Sequence, residues 1–410
     1  MMLSPRGTSV AVAGVVMWLA ARFLGSPGLE VIAIGLTLLP FIAGAYLRLG
    51  THPVSVARHL SDARVSPGTR VTVRLDVTNQ TSVPTSFLLL EDRLPPALGR
   101  PARLVVTGVG GRGTQRASYS IVPQARGRYP IGPLTVDRTD AFGLSRRRVV
   151  LEEREELLVT PEIEDLRAPS DAASGSSVGS ARARQLLRTG EEYYTMRGYQ
   201  QGDDLRRIHW PSVARTGELM IRQDEASRRA GGLIYLDSRE AQLGPARGPA
   251  FERAVSAAAS VGALFARNGF SLQLGADETP IHAVTEEAFL DALTGLTHGR
   301  GRTIGRALTS LRVAGGGDTS LVFIGAPLAP QELPQLVRAG ASFGQKLAIL
   351  VHPIDPASAP ADRRLQLESR ATQSHLTLIR AGWDCLVLSP TTRLRERWHT
   401  PRAHRPASSA

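Results

Sequence analysis

The chain has almost no cysteine and almost no lysine. Among 410 residues Cys385 is the sole cysteine, which excludes an internal disulfide and any multi-cysteine metal site. It lies in the apolar run 385–388, where burial in a strand suits it better than nucleophilic work. Of 49 basic residues only Lys346 is lysine, and with 40 glycines and 27 prolines this bias marks a GC-rich coding sequence. The net charge of +12 is therefore scattered along the chain, not gathered in one stripe, and argues against a nucleic-acid partner. No Walker or G-x-S-x-G sequence occurs, and His209, His282, His298, His352 and His375 lack metal-ligand spacing. No cofactor is expected. The length allows two or three domains, each with its own core.

Long apolar runs are confined to residues 8–24 and 31–47, each near the lower limit for crossing a bilayer. Ser26, Pro27 and Gly28 join them in a tight turn. A basic start followed by an apolar run also fits a signal peptide, but the second run arriving at once argues for a transmembrane hairpin. Arg6 precedes the first run and Arg48, Arg58 and Arg64 follow the second, while the turn has no basic residue. This asymmetry places both ends, and the soluble domains, in the cytoplasm of a multi-pass protein of the cell membrane, with residues 8–47 in contact with the lipid bilayer. Arg22 is the awkward member, and its long stem would snorkel to the interface.

Between residues 51 and 165 the pattern becomes short alternating runs broken by Gly, Pro and Asn. Residues 70–78 alternate with period two and end at Asn79, as a half-buried strand does. Further strands are expected at 87–91, 104–107, 117–122, 134–138 and 148–151, which together suggest an immunoglobulin-like β-sandwich. Residues 108–113 fit G-x-G-x-x-G, but the strand expected next, in place of a helix, makes them a flexible hairpin loop.

A Ser, Ala and Gly-rich stretch at 168–183 reads as a flexible linker within a segment 166–230, with order resuming near Gln185. From 231 to 400 apolar strands (233–237, 271–274, 320–324, 347–351, 385–388) alternate with helical patterns (251–267, 286–296, 304–312, 331–339, 363–381). That alternation predicts a doubly wound, mostly parallel α/β sheet. The basic stretch 393–405, with Trp398, reads as a solvated end or a weak contact for anionic lipid, and 401–410 as a tail.

Inside the linker segment sits the densest cluster of the chain: Arg197, Tyr199, Gly202, Asp203, Asp204, Arg206, Ile208, Trp210, Ala214 and Arg215. It resembles the signature of the bacterial family called domain of unknown function 58, R-x-Y-x-x-G-D-D-x-R-x-I-x-W-x-x-x-A-R. Residues 126–133 (RGRYPIGP) and 140–144 (DAFGL) resemble two further stretches of that family, with Ala141 where proline is usual. The charged residues of the signature admit two readings. One is a pocket or docking face. The other is an internal buttress of Arg–carboxylate pairs with Trp210 as a hydrophobic plug, a job that bidentate pairs suit. Asp203 and Asp204, adjacent after a glycine, also fit a turn or helix N-cap. The buttress or interaction surface is favoured over catalysis.

The resemblance also implies a von Willebrand factor type A-like last domain, whose metal site begins with D-x-S-x-S after the first strand. Asp237 takes the aspartate position, but Arg239 and Ala241 replace both serines, leaving a poor offer for a cation that needs several oxygen ligands. The expectation is a degenerate site at Asp237, without metal, in which Asp237 pairs with Arg239 or a neighbouring cation. Members of the family are associated with MoxR-type AAA+ ATPases. The implied function is a membrane-anchored cytoplasmic interaction module, an accessory in protein assembly or maturation without catalysis of its own. The rival is a hydrolase using Asp203, Asp204 and His209.

Overall fold

The structure, a computed structural model, describes residues 2–49, 54–85, 87–140, 142–167, 182–183, 185–187, 194–200, 204, 208–224, 230–245, 247–276, 280–299, 301 and 304–399. It divides into two compact units, Met1–Thr160 and Pro161–Ala410.

The first unit opens with strand β1 (Met2–Leu3) and helices α1 (Pro5–Leu24) and α2 (Pro27–Leu49). Ser4 caps α1 by accepting the Gly7 amide, and Gly25 ends it in the left-handed region at φ 65°. The helices lie against each other along small residues. Gly7, Gly14 and Ala21 are the buried positions of α1, seven apart, a coiled-coil spacing. A Cβ on Gly14 would fall 2.4 Å from the Thr37 hydroxyl, so the backbones approach too closely for any larger residue. Outward, Val16, Phe23, Val31 and Ile42 are exposed. Both helices are long and apolar enough to cross a membrane. Arg22 reaches Glu30 at 3.6 Å and covers the Trp18 ring.

Ten more strands complete this unit: β2 (Val54–Leu60), β3 (Arg64–Val65), β4 (Val71–Asn79), β5 (Leu88–Asp92), β6 (Ala102–Val106), β7 (Thr114–Ile121), β8 (Gly127–Ile131), β9 (Leu134–Thr139), β10 (Ser145–Leu151) and β11 (Glu155–Val159). They form sheets in the orders β1-β10-β9-β5-β6, β2-β4-β7 and β3-β11-β8. Alternation does the work: Val71, Val73, Leu75 and Val77 of β4 turn inward onto Leu88, Leu90, Ile131 and Leu157. Within this core Arg58 pairs with both oxygens of Asp92 at 3.1 and 2.7 Å, and Tyr119 donates to Asp92 at 2.7 Å. Gly132, at φ 114°, leaves room for that guanidinium. Breaking such a buried pair costs about 3–5 kcal/mol.

The glycine stretch 108–113 is not a hairpin loop. It joins β6 to β7, which belong to different sheets, and Asn79 fixes it by donating to Val83, Val109 and Gly110 carbonyls.

The second unit begins earlier than the composition suggested. Glu164 receives Arg253 at 2.9 Å, its amide donates to Ser260, and Leu166 is buried in the α/β core. The boundary therefore falls at Thr160, not 165. Arg182 too is part of this unit rather than of a linker: it is buried, bonds Asp384 at 2.7 Å, and reaches the Trp398 carbonyl.

A two-stranded hairpin, β12 (Tyr194–Gly198) and β13 (Met220–Asp224), flanks helix α3 (Trp210–Thr216). Then come β14 (Gly231–Leu236), α4 (Glu240–Leu243), α5 (Pro249–Arg267), β15 (Ser271–Ala276), β16 (His282–Val284), α6 (Glu286–Gly295), α7 (Gly305–Ala314), β17 (Thr319–Gly325), α8 (Leu333–Ala339), β18 (Gln345–Val351), α9 (Ala361–Arg380), β19 (Asp384–Leu388) and α10 (Leu394–Trp398). The sheet runs β16-β15-β14-β17-β18-β19, parallel except for β16. Apolar clusters cover both faces, Ile234, Leu236, Val322 and Ile349 on one and Leu233, Tyr235, Phe323 and Leu350 on the other. That is why these strands read as unbroken apolar runs. Residues 393–399 are not a solvated end, because Leu394 and Trp398 are fully buried.

Candidate functional site

Two places gather the chemistry singled out in the sequence. The first is the carboxyl end of the central strands. From β14 the chain passes to β15 on one side and later to β17 on the other, so the order reverses between β14 and β17. In open α/β sheets ligands enter at this reversal. Here the crevice holds an arginine. Arg239 donates from Nε and Nη2 to the Asp237 oxygens at 2.8 and 2.7 Å, and from Nη1 to Glu332 Oε1 at 2.6 Å. Asp237 follows β14, and its amide donates to Ile324 of β17. Glu332 stands in the loop after β17, just before α8. Asp237 is wholly buried and Arg239 is 1% exposed.

Burial alone would push the Arg239 guanidinium pKa down, but its bonds to Asp237 and Glu332 outweigh that and raise it, so it stays a cation. A fixed positive charge thus sits between two carboxylates at the strand reversal. The residues do not fit a metal: Asp237 has both oxygens bonded to the guanidinium, and positions 239 and 241 carry no hydroxyl. Glu332, 93 positions from Arg239, was missed by sequence reasoning.

The second place is the signature. Arg197 lies opposite Ile221 in the β12–β13 pair, and the Tyr199 amide continues the ladder onto Leu219. Ile208 bridges to Ile221, and the His209 amide donates to Met220, which returns the chain to the hairpin before α3 begins. His209 is the N-cap residue of α3, its ring Nδ1 lies 2.8 Å from the Ser212 hydroxyl, and Gly217 closes the helix at φ 74°. The cap is thus a histidine, not the aspartate pair. Asp204 and Arg215 are exposed. Gly202, Asp203 and Arg206 lie outside the described residues, as does the side chain of Arg197. Trp210 is 66% exposed. It is not a hydrophobic plug: its place at the first turn of a helix laid against a two-stranded hairpin turns it outward. Leu219, just before β13, is exposed as well.

A third feature had no sequence signal. A cavity of about 900 Å³ opens along β19, at the sheet edge, lined by His352, Asp355, Glu368, His375, Trp383 and Cys385 among others. Desolvation lowers the pKa of both histidines, and it raises that of the buried Cys385 thiol, leaving the thiol inert as its apolar run suggested.

A family model described as "Protein of unknown function DUF58" matches residues 195–288. The chain is similar to the "Uncharacterized protein YeaD" of Bacillus subtilis (strain 168), 25% identical over 246 residues. That match covers 56% of this chain and 58% of the relative, so the chain spans a little over half of it. Two solved structures overlap parts of the chain. The CARDB domain of the PF1109 protein from Pyrococcus furiosus has 16% identity and a TM-score of 0.21 over 27% of this chain and 97% of that one. The GAE domain of GGA2p from Saccharomyces cerevisiae has 12% identity and a TM-score of 0.19 over 26% and 94%. At these scores neither likeness carries an argument. The signature at 197–215 lies inside the stretch that the family model matches, and over residues 195–288 the chain is similar to the DUF58 family.

Proposed function

We propose that the chain is a membrane-anchored cytoplasmic interaction module. In this reading the hairpin of α1 and α2 spans the membrane, an immunoglobulin-like sandwich follows, and a von Willebrand factor type A-like domain presents the signature. It acts without catalysis as an accessory to a MoxR-type AAA+ ATPase in assembling or maturing other proteins. One observation supports it most directly: Trp210, the large aromatic of the signature, faces solvent on α3, and Leu219, just before β13, is exposed as well. An exposed tryptophan and an exposed arginine, Arg215, on one short helix have the composition of an interface anchor. The His209–Ser212 contact serves the helix start, so the motif's histidine has a local task that needs no substrate.

The test is capture of a MoxR-type ATPase from the same genome by the full chain in detergent. Wild type should retain the ATPase and Trp210→Ala should lose it, with an unchanged melting midpoint in the variant. Equal capture by both would remove this reading.

A further inference from the structure

The large sheet of the second unit has two edges, and they are finished differently. At one edge β16 is only three residues long and largely exposed, too short to recruit a neighbour. At the other stands β19, whose residues after Asp384 are all apolar, with no proline and no charge. Native edges are ordinarily blunted by charge, proline or brevity. β19 has an acid only at its start.

Its main chain faces outward in a definite register. The Leu388 carbonyl accepts the His352 amide at 2.9 Å, so Leu388 turns its peptide groups toward β18, and Leu386 with it. In a parallel pair the residues between them turn theirs away. The outward residues are therefore Cys385 and Val387. The Asp384 carboxylate accepts the Cys385 amide at 3.0 Å. The Val387 amide and carbonyl have no partner among the described residues.

This edge runs along the cavity of about 900 Å³. One wall is a single face of α9, built from Arg364, Glu368, Thr372, His375 and Ile379 at helical spacing. Thr392 and Arg397 line the other side. The two helices cover opposite faces of the sheet: Leu378 of α9 packs with Cys385, whereas Leu394 and Trp398 of α10 pack with Leu386 and Leu388. At 1.5 Å per residue the α9 wall is about 22 Å long. β19 beside it extends about 17 Å, the length of about five extended residues. A helix on each face leaves a slot for one strand. The edge of a second sheet would bring covering helices of its own and could not enter.

Charge and exposure narrow the occupant further. Three arginines and three carboxylates line the trough. Arg182 bonds Asp384 at 2.7 Å, Arg364 bonds Glu368 at 2.8 Å, and Asp355 accepts from Thr391 at 2.8 Å, so an ionic ligand gains little there. On the lip, Leu365 and Leu376 share the stripe of Thr372, seven residues before it and four after, and both are exposed. Ile379 and Trp383 line the trough as well. Unpaired main chain flanked by apolar side chains suits an extended peptide, which brings both.

We propose that the trough between β19 and α9 docks one extended segment of a partner protein, which joins the six-stranded sheet as a further strand beside β19. The main chain of the segment pairs with Val387, and its alternate apolar side chains pack against α9. This surface shares no residue with the Trp210 helix, and the experiment tests the two apart.

The experiment selects binders from a phage-displayed library of random dodecapeptides on the full chain in detergent. The selected sequences are then titrated as synthetic peptides, with every second amide N-methylated in either of the two registers. They should alternate apolar and polar residues over about five positions. N-methylation in one register should weaken binding about tenfold or more, as loss of one or two main-chain hydrogen bonds does, and in the other should leave it unchanged. Val387→Pro removes the outward amide and spares the β18 ladder, so it should weaken binding as much. Thr372→Arg, at an exposed position of α9, should block the trough. Trp210→Ala should bind like the wild type. If the proline lowers the melting midpoint, Thr372→Arg and the N-methyl series decide without it. Peptides indifferent to N-methylation in both registers would overturn strand addition. A selection that yields no peptide sensitive to Thr372→Arg would overturn the trough as the site. Peptides lost only in Trp210→Ala would overturn it too, while supporting the interaction surface at the signature.

Discussion

Arg239 closes on Asp237, only two residues before it, with two parallel hydrogen bonds of 2.8 and 2.7 Å, and both side chains are shut away from water. A bidentate pair this short in sequence ties the turn after β14 to itself. The third bond, to Glu332 at 2.6 Å, ties it to the loop after β17.

Arg239→Met should destabilise the chain by about 3–5 kcal/mol, because it leaves the Asp237 carboxylate buried without a partner. Glu332→Gln should cost less, about 1–2 kcal/mol, since Glu332 is partly exposed and a neutral amide oxygen still accepts. Denaturant unfolding of the full chain in detergent, wild type against both variants, reads the difference. Equal midpoints for Arg239→Met and wild type would mean that the pair does not support the fold.

Calorimetric titration of the wild type with Mg²⁺ or Mn²⁺ should show no site tighter than about millimolar, the weak end for oxygen-ligand cation sites. The reason is the guanidinium already between the carboxylates. A micromolar site lost in Asp237→Ala would show that the arginine yields to a metal.

Stability should fall on mild acidification. His352, His375 and His399 all have pKa values lowered chiefly by desolvation. Unfolded, each would titrate near about 6.5. Between that value and the lower folded pKa the unfolded chain binds more protons, so stability is full above about pH 6.5 and is lost as pH drops below it. His352→Gln should flatten the melting temperature between pH 7 and pH 5. A profile as steep as wild type would place the sensitivity elsewhere.

Trp398→Ala should cost about 3–5 kcal/mol, as truncation of a fully buried aromatic does. Arg182 stacks over this ring at 5.9 Å and holds the residue's carbonyl, so Trp398→Phe should recover most of the loss. If Trp398→Ala melts with the wild type, the last helix is not part of the core.

The α/β sheet was legible because its central strands are covered on both faces and so appear as unbroken apolar runs. β16 was missed: three residues, largely exposed, at an edge give no pattern. The last helix was hidden by Arg393, Arg395 and Arg397, which surround the only two buried side chains of a single turn, Leu394 and Trp398. At the candidate site the Asp237–Arg239 pair could be read from its spacing, while Glu332 is brought in by tertiary folding alone. Trp210 went wrong for a related reason. Hydrophobicity is written in the sequence, but which side of a short helix faces water is decided by what packs against it. The seven-residue spacing of Gly7, Gly14 and Ala21 was present and carried the helix contact.

A side chain is covalently supplied with every copy of the protein, whereas an ion must be acquired and can be stripped away. With the charge at the strand reversal built from Arg239, that end of the sheet is loaded as soon as the chain folds. Chelators, cation fluctuations and competing metals have no handle on it there. Any on–off control at this end of the sheet has to come from a change in the chain's own loops and not from gain or loss of an ion.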